Sequence, residues 1–295
     1  MKPAPFEYFA PTTPDEALAT LAEYGYDAKV LAGGQSLVPM MNFRLAQPSV
    51  IVDINNLPEL GYIREGEDGG IRIGAMARHN QVERNSLVAG RAPLIFEAMP
   101  HIATVQVRSR GTFGGSLAHA DPAAELTAIS VALGGSFLLR SPRGERWVSA
   151  EDFFMGLFTT LLEPDELLLE AKFPALPEHT GCALVEVSRR PHDFALVGVA
   201  AVVTLDAGAR CQEVRLVLFS VGDGPMTAHQ AVEMLENEQL TPDSMRAAAE
   251  TAAQQDIDPG SDIHASAAYR RHLAEVLSYR ALQKAYDRAQ GEEYG

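Results

Sequence analysis

Hydrophobic and polar positions change period several times along the chain, and each change marks an element. Ala17, Leu18, Leu21 and Ala22 recur at helical spacing. Thr13 stands where an N-cap belongs, Pro14 takes the first helical position, Glu16 supplies a capping-box acid and Gly25 the stop. A strand is expected at 28–32, then the turn Gly33-Gly34-Gln35-Ser36, a mostly apolar stretch at 37–45 and a second strand at 50–54. These make a small β-α-β unit closing near Asn56. Ile71, Ile73 and Ala75 alternate with Arg72 and Gly74, the period of a half-buried strand. Residues 92–102 read as helix, 111–116 as a second glycine-rich turn, and 117–133 as helix from Asp121 onward. Strands at 136–139 and 167–173 bracket a segment rich in Phe and Leu.

Pro174, Pro177 and Gly181 mark a boundary. Beyond it, strands are expected at 183–188, 197–205 and 213–221, with Asp206-Ala207-Gly208 as the turn between the last two. Helices follow at 228–237, 242–254 and 267–289, and the polar tail 290–295 is expected to fray. The organisation is α+β: residues 1–176, in subdomains of about 1–56 and 57–176, then 177–290 and a tail at 291–295.

Composition narrows the chemistry. A formal charge of −15 over 295 residues argues against nucleic acid, which is held mainly by clustered Lys and Arg. No apolar run reaches the roughly 18 residues of a membrane span, so no transmembrane segment is expected. Met1-Lys2-Pro3-Ala4-Pro5 lacks the apolar core of a secretory signal, and a cytoplasmic protein is expected. The two cysteines, Cys182 and Cys211, are too few for an iron–sulfur cluster, which normally takes four thiolates. A disulfide between them is unusual in the cytoplasm.

Two segments share one design of apolar residues, a Gly-Gly pair and a hydroxyl. They are Val30-Leu31-Ala32-Gly33-Gly34-Gln35-Ser36-Leu37 and Gly111-Thr112-Phe113-Gly114-Gly115-Ser116-Leu117. Glycine lets backbone approach a ligand and aim successive N–H groups at one oxygen. Two such turns face to face can hold a pyrophosphate without much positive charge. Plain turns are the competing reading, since chance gives about two Gly-Gly pairs at this composition. The chain has four, with Gly69-Gly70 and Gly134-Gly135. Gly222-Asp223-Gly224 lacks the third glycine and the alternating context of a dinucleotide fold. His119-Ala120-Asp121 has no third ligand nearby, so a turn or helix start is favoured over a metal site. Arg189-Arg190 reads as a solvated strand end, and no nucleophile-base arrangement stands out. No catalytic side chain and no metal ligand are expected.

Ala32-Gly33-Gly34-Gln35-Ser36-Leu37, with Pro39 and Val52-Asp53-Ile54, resembles the first FAD turn of the medium subunits of molybdenum hydroxylases, the carbon monoxide dehydrogenase and xanthine dehydrogenase family. Arg110-Gly111-Thr112-Phe113-Gly114-Gly115-Ser116, running into Ala120-Asp121-Pro122-Ala123-Ala124-Glu125, is similar to the second. Asp165-Glu166-Leu167-Leu168 with Phe173-Pro174, and Arg189-Arg190 with Asp193-Phe194-Ala195, fit later landmarks in the family's order. The resemblance implies an FAD-binding fold of the vanillyl-alcohol-oxidase (PCMH) type. Two subdomains would clasp the cofactor, and a C-terminal three-stranded antiparallel sheet with helices would follow. It implies that Lys29 and Ala32, Gly33, Gly34, Gln35, Ser36 and Leu37 line the diphosphate, with Thr112, Gly114, Gly115 and Ser116 opposite. Glu125 would lie near the cofactor, Leu168 and Leu169 would meet the flavin through backbone, and Ile102 and Phe194 would pack on its rings.

Gln35 stands where covalent flavoproteins often carry histidine, so non-covalent FAD is implied. Val185-Glu186 replaces a lysine of the xanthine dehydrogenase branch and points away from NAD+ exchange. Molybdopterin and 2Fe-2S clusters would sit on a large and a small partner subunit, in a dimer of heterotrimers. Electrons would pass from those clusters to FAD and on to an external acceptor. A self-sufficient flavin oxidase or dehydrogenase, and a structural subunit without flavin, are the alternatives.

Overall fold

The computed structural model describes residues 2–292. Glu7–Phe9 (β1), Ala28–Leu31 (β2) and Val50–Asp53 (β3) form a three-stranded parallel sheet in the order β1-β3-β2. The helix Pro14–Tyr24 buries Ala17, Leu18 and Leu21 against it. Thr13 Oγ1 accepts from the Glu16 amide at 3.2 Å, but the Glu16 carboxylate reaches the Thr12 amide at 2.8 Å. The expected capping box is therefore closed one residue earlier. Gly25, at φ +52, ends the helix as expected. β1 is too short to show a period, and only its pairing with Val50, Ile51 and Val52 reveals it. This core also takes Leu57, Leu60, Met76, Leu167 and Leu169 from further along the chain.

Ile63–Glu65 (β4), Ile71–Gly74 (β5), Ser136–Ser141 (β6), Gly144–Ser149 (β7) and Leu167–Phe173 (β10) form an antiparallel sheet in the order β4-β5-β10-β6-β7. Between β7 and β10, Phe154–Gly156 (β8) and Thr159–Thr160 (β9) make a separate hairpin. Ile71, Ile73, Phe137, Leu139, Ala171 and Phe173 point from the large sheet into the main core, where helices Pro93–Ala98, Phe113–His119 and Glu125–Ala132 also pack. The helix expected from Asp121 onward starts at Glu125, and Leu117–His119 belong to a preceding helix that stops at Ala120, whose φ of +50 turns the chain.

Thr180–Ser188 (β11), Ala195–Leu205 (β12), Cys211–Phe219 (β13) and the two-residue Met226–Thr227 (β14) form an antiparallel meander, one short strand more than expected. All eleven residues of β12 are buried. Ala200 and Val202 face the main core, while Val199, Ala201 and Val203 face a second core built with helices Pro242–Thr251 and Ala267–Ala289. Burial on both faces explains why this strand reads as a continuous apolar run rather than an alternation. The helix expected at 242–254 ends its α-helical part at Thr251 and continues as π-helix over Ala252–Asp256. Cys182 lies in the main core and Cys211 in the second, and no disulfide joins them. Of the tail expected to fray, residues 293–295 lie outside the described residues.

Candidate flavin site

β2 runs into the segment Ala32–Ser36 and then into the helix Leu37–Asn42. Gly34 takes φ +72, which glycine adopts without strain. A Cβ built on Gly33 would lie 2.5 Å from the Arg110 carbonyl oxygen and 2.8 Å from the Gly111 Cα. The two glycine segments therefore touch backbone to backbone. Asn55 Nδ2 donates to the Ala32 carbonyl at 2.8 Å, and Gln35 Nε2 to the Gly33 carbonyl at 3.0 Å. Among the described residues the amides of Gly33, Gly34, Gln35 and Ser36 donate to no protein acceptor.

The second segment is not a turn. Thr112 caps the helix Phe113–His119, its Oγ1 accepting from the Gly115 amide at 3.2 Å. Phe113 and Gly114 donate to the carbonyls of Ala77 and Ala75, both at 2.9 Å, and Ser116 to that of Thr112 at 3.1 Å. A Cβ on Gly114 would fall 2.5 Å from the Ala75 Cβ, and one on Gly115 2.5 Å from Thr112 Oγ1, the helix's own capping hydroxyl. Glycine is needed here for close packing of backbone, and the amides of residues 113–116 are spent inside the protein. His79 lies behind the segment, fully buried, with Nε2 2.9 Å from the Thr112 carbonyl. Burial pushes its pKa down to about 4, so the ring is neutral and donates that bond.

A cleft of about 370 Å³ opens beside the junction, lined by Leu31, Ala32, Gly33, Gly34, Gln35, Val38, Pro39, Asp53, Asn55 and Arg110. Asp53 accepts from the Tyr8 hydroxyl at 2.6 Å and the Asn55 amide at 2.9 Å. Burial alone would raise the Asp53 carboxyl, but those hydrogen bonds and the Arg110 charge bring it below its ordinary value. Arg78 donates to the Arg110 carbonyl and, at 2.6 Å, to Asn55 Oδ1. Its pKa is lowered by burial and by the neighbouring Arg110 charge.

A second group of titratable residues lies where the C-terminal sheet meets the main core. Glu125 opens its helix with its side chain buried. Burial, aided by the charges of Glu186 and Asp121, pushes its pKa up to about 8, so it is protonated at neutral pH. Glu186 on β11 meets His101 Nδ1 at 3.2 Å, and that hydrogen bond raises the imidazole pKa.

Residues 4–176 match the family described as the FAD binding domain in molybdopterin dehydrogenase, and residues 183–285 the CO dehydrogenase flavoprotein C-terminal domain. The chain belongs to this flavoprotein family. It is 40% identical to the 6-hydroxypseudooxynicotine dehydrogenase complex subunit alpha of Paenarthrobacter nicotinovorans, covering 98% of this chain and 97% of that one. It is 38% identical to the caffeine dehydrogenase subunit beta of Pseudomonas sp. strain CBB1, again covering 98% and 97%. A solved carbon monoxide dehydrogenase from Hydrogenophaga pseudoflava superposes with a TM-score of 0.94 at 40% identity, covering 98% of this chain and 99% of that one. The likeness at this identity extends to the PCMH-type fold.

In this FAD-binding subunit the structure gathers only part of the expected site in one place. Ala32, Gly33, Gly34 and Gln35 line the cleft, Ser36 and Leu37 open the helix at its edge, and Thr112 and Gly115 lie at the junction. Gly114 is a packing position, and Ser116 lies one turn along the same helix. The Leu169 carbonyl accepts from the Ala75 amide at 2.9 Å, which leads through Ala75 to Gly114. Leu168 and Ile102 belong to the main core, Lys29 is exposed on β2, and Phe194 is 72% exposed before β12. Tyr8, Asp53, Asn55, Arg78 and Arg110 were not among the expected site residues. Asp53 and Arg110 stand within the recognised motifs without having been assigned a role, and nothing local marks Arg78.

Proposed function

We propose that this chain is the FAD-carrying medium subunit of a molybdenum hydroxylase complex. It would receive electrons from 2Fe-2S clusters of a small partner subunit and pass them to an external acceptor. The observation that carries the reading is the backbone contact between the two glycine segments, with the amides of Gly33–Ser36 left open beside the cleft. A backbone junction that leaves no room for a side chain on Gly33, beside a cleft lined by Arg110, fits a diphosphate bridge.

FAD, when bound, supplies the reversible acceptance of two electrons. The protein residues bind and orient it. The Gly33–Ser36 segment presents amide donors and the Ser36 hydroxyl, Arg110 supplies positive charge, and Thr112 and Ser116 offer hydroxyls from the facing helix. Protonated Glu125 can donate a hydrogen bond that an ionised carboxylate cannot. Gln35 leaves no imidazole for a covalent link, so the cofactor is held non-covalently.

The domains are assigned as residues 1–176 for the flavin, in subdomains of about 1–56 and 57–176, and 177–290 beyond, the first part matching the segment aligned with the FAD-binding family. Relatives at similar identity are named for caffeine and for a nicotine-derived compound, so substrate choice belongs to a large molybdopterin subunit. The complex is taken as a cytoplasmic dimer of heterotrimers. Among the described residues no helix is long and apolar enough to cross a membrane. The purified chain, given FAD, should show a flavin absorption spectrum and no substrate turnover until partners are added. Turnover by the chain alone would support a self-sufficient oxidase, and failure to take up FAD a structural subunit.

A further inference from the structure

The geometry points to Arg78 as a positioning residue that ties the two glycine segments together and thereby sets the diphosphate end of the flavin site. The inference rests on the FAD reading above and deepens it. One guanidinium nitrogen donates to the Arg110 carbonyl, the same oxygen that stands 2.5 Å from where a Gly33 Cβ would be. Another donates to Asn55 Oδ1 at 2.6 Å, while Asn55 Nδ2 holds the Ala32 carbonyl at 2.8 Å. A continuous path thus runs from Ala32 through Asn55 and Arg78 to Arg110. Asn55 is in turn fixed by Asp53, which holds its amide at 2.9 Å and is itself bound by Tyr8.

Two physical effects follow from this path. A carbonyl oxygen at the junction would repel an incoming diphosphate, and the guanidinium covers that oxygen with positive charge. Fixing the Arg110 backbone also fixes the root of the Arg110 side chain, which lines the cleft. The Arg110 charge works against the charge on Arg78 and Asp53 opposes this, so a dianionic bridge nearby eases the repulsion. Arg78 itself is not among the residues lining the cleft, so it acts through Asn55 and Arg110.

The test compares FAD with riboflavin, which lacks the diphosphate, by fluorescence titration of the full chain. Arg78→Ala is expected to weaken FAD at least tenfold and leave riboflavin unchanged, so that the preference for FAD collapses. Arg78→Lys keeps the charge but reaches only one acceptor, and should recover part of the preference. Asn55→Ala cuts the same path at its other end and should shift the preference in the same direction, which covers the case of an unfolded Arg78 variant. An unchanged preference, or an equal loss for both flavins, would overturn the positioning role. A wild-type chain that binds neither would overturn the flavin assignment itself, and this inference with it.

Discussion

The two glycine segments look alike as sequence and differ as structure. Residues 33–36 form an open loop whose amides, among the described residues, donate to no protein acceptor. Residues 113–116 start a helix whose amides are already bonded, with Gly114 letting it press on Ala75 and Gly115 making room for the Thr112 cap. One segment uses glycine to leave donors available, the other to bring backbone into contact. A shared Gly-Gly pattern therefore identifies close approach without saying what approaches.

The largest expected effect tests the open segment. Gly33→Val drives a side chain into the Arg110 carbonyl and should lower FAD affinity by about 100-fold or more, as read by fluorescence titration. Next comes the buried side of the molecule, through Glu125. Its folded pKa, about 8, is raised above the unfolded value of roughly 4.3, so its contribution is fully present below the latter. It is lost as pH rises through the former, a fall of a few kcal/mol at about 1.4 kcal/mol per unit. Urea denaturation across pH should show that fall in the wild-type chain without added FAD, and a flatter profile in Glu125→Gln.

Gly114→Ala puts a methyl 2.5 Å from the Ala75 Cβ and should cost about 1–3 kcal/mol of stability in the same assay. The smallest effect contrasts the hydroxyls. Thr112→Ala removes a helix cap and should cost about 1 kcal/mol. Ser36 makes no capping hydrogen bond, so Ser36→Ala should leave stability within about 0.5 kcal/mol and weaken FAD severalfold. Equal behaviour of the two variants would erase the distinction between the segments.

Much of the architecture was legible because it repeats a period or carries a stop. Leu167–Phe173 and Ala267–Ala289 fall where the pattern puts them. β7 was hidden because most of its residues are exposed and polar, leaving no alternation to read. The helix at Phe113–His119 was read as a turn because each internal glycine costs about 1 kcal/mol of helix propensity, and packing against Ala75 overrides that penalty. In the site, glycines announced themselves while Arg78 did not. Its acceptors stand 23 and 32 residues away, a relation that exists only after folding.

The side of β11 and β12 turned to the main core has a consequence for engineering. Cys182, Leu184, Ala200 and Val202 plug into the same interior as Phe113 and Ile129, and Arg288 near the C-terminus clasps Glu97 at 2.8 Å. Cutting the gene near codon 177 would leave each fragment with a greasy raw surface. Chimeras that borrow the last third from a cousin should therefore fail unless the residues along this seam are exchanged as a set.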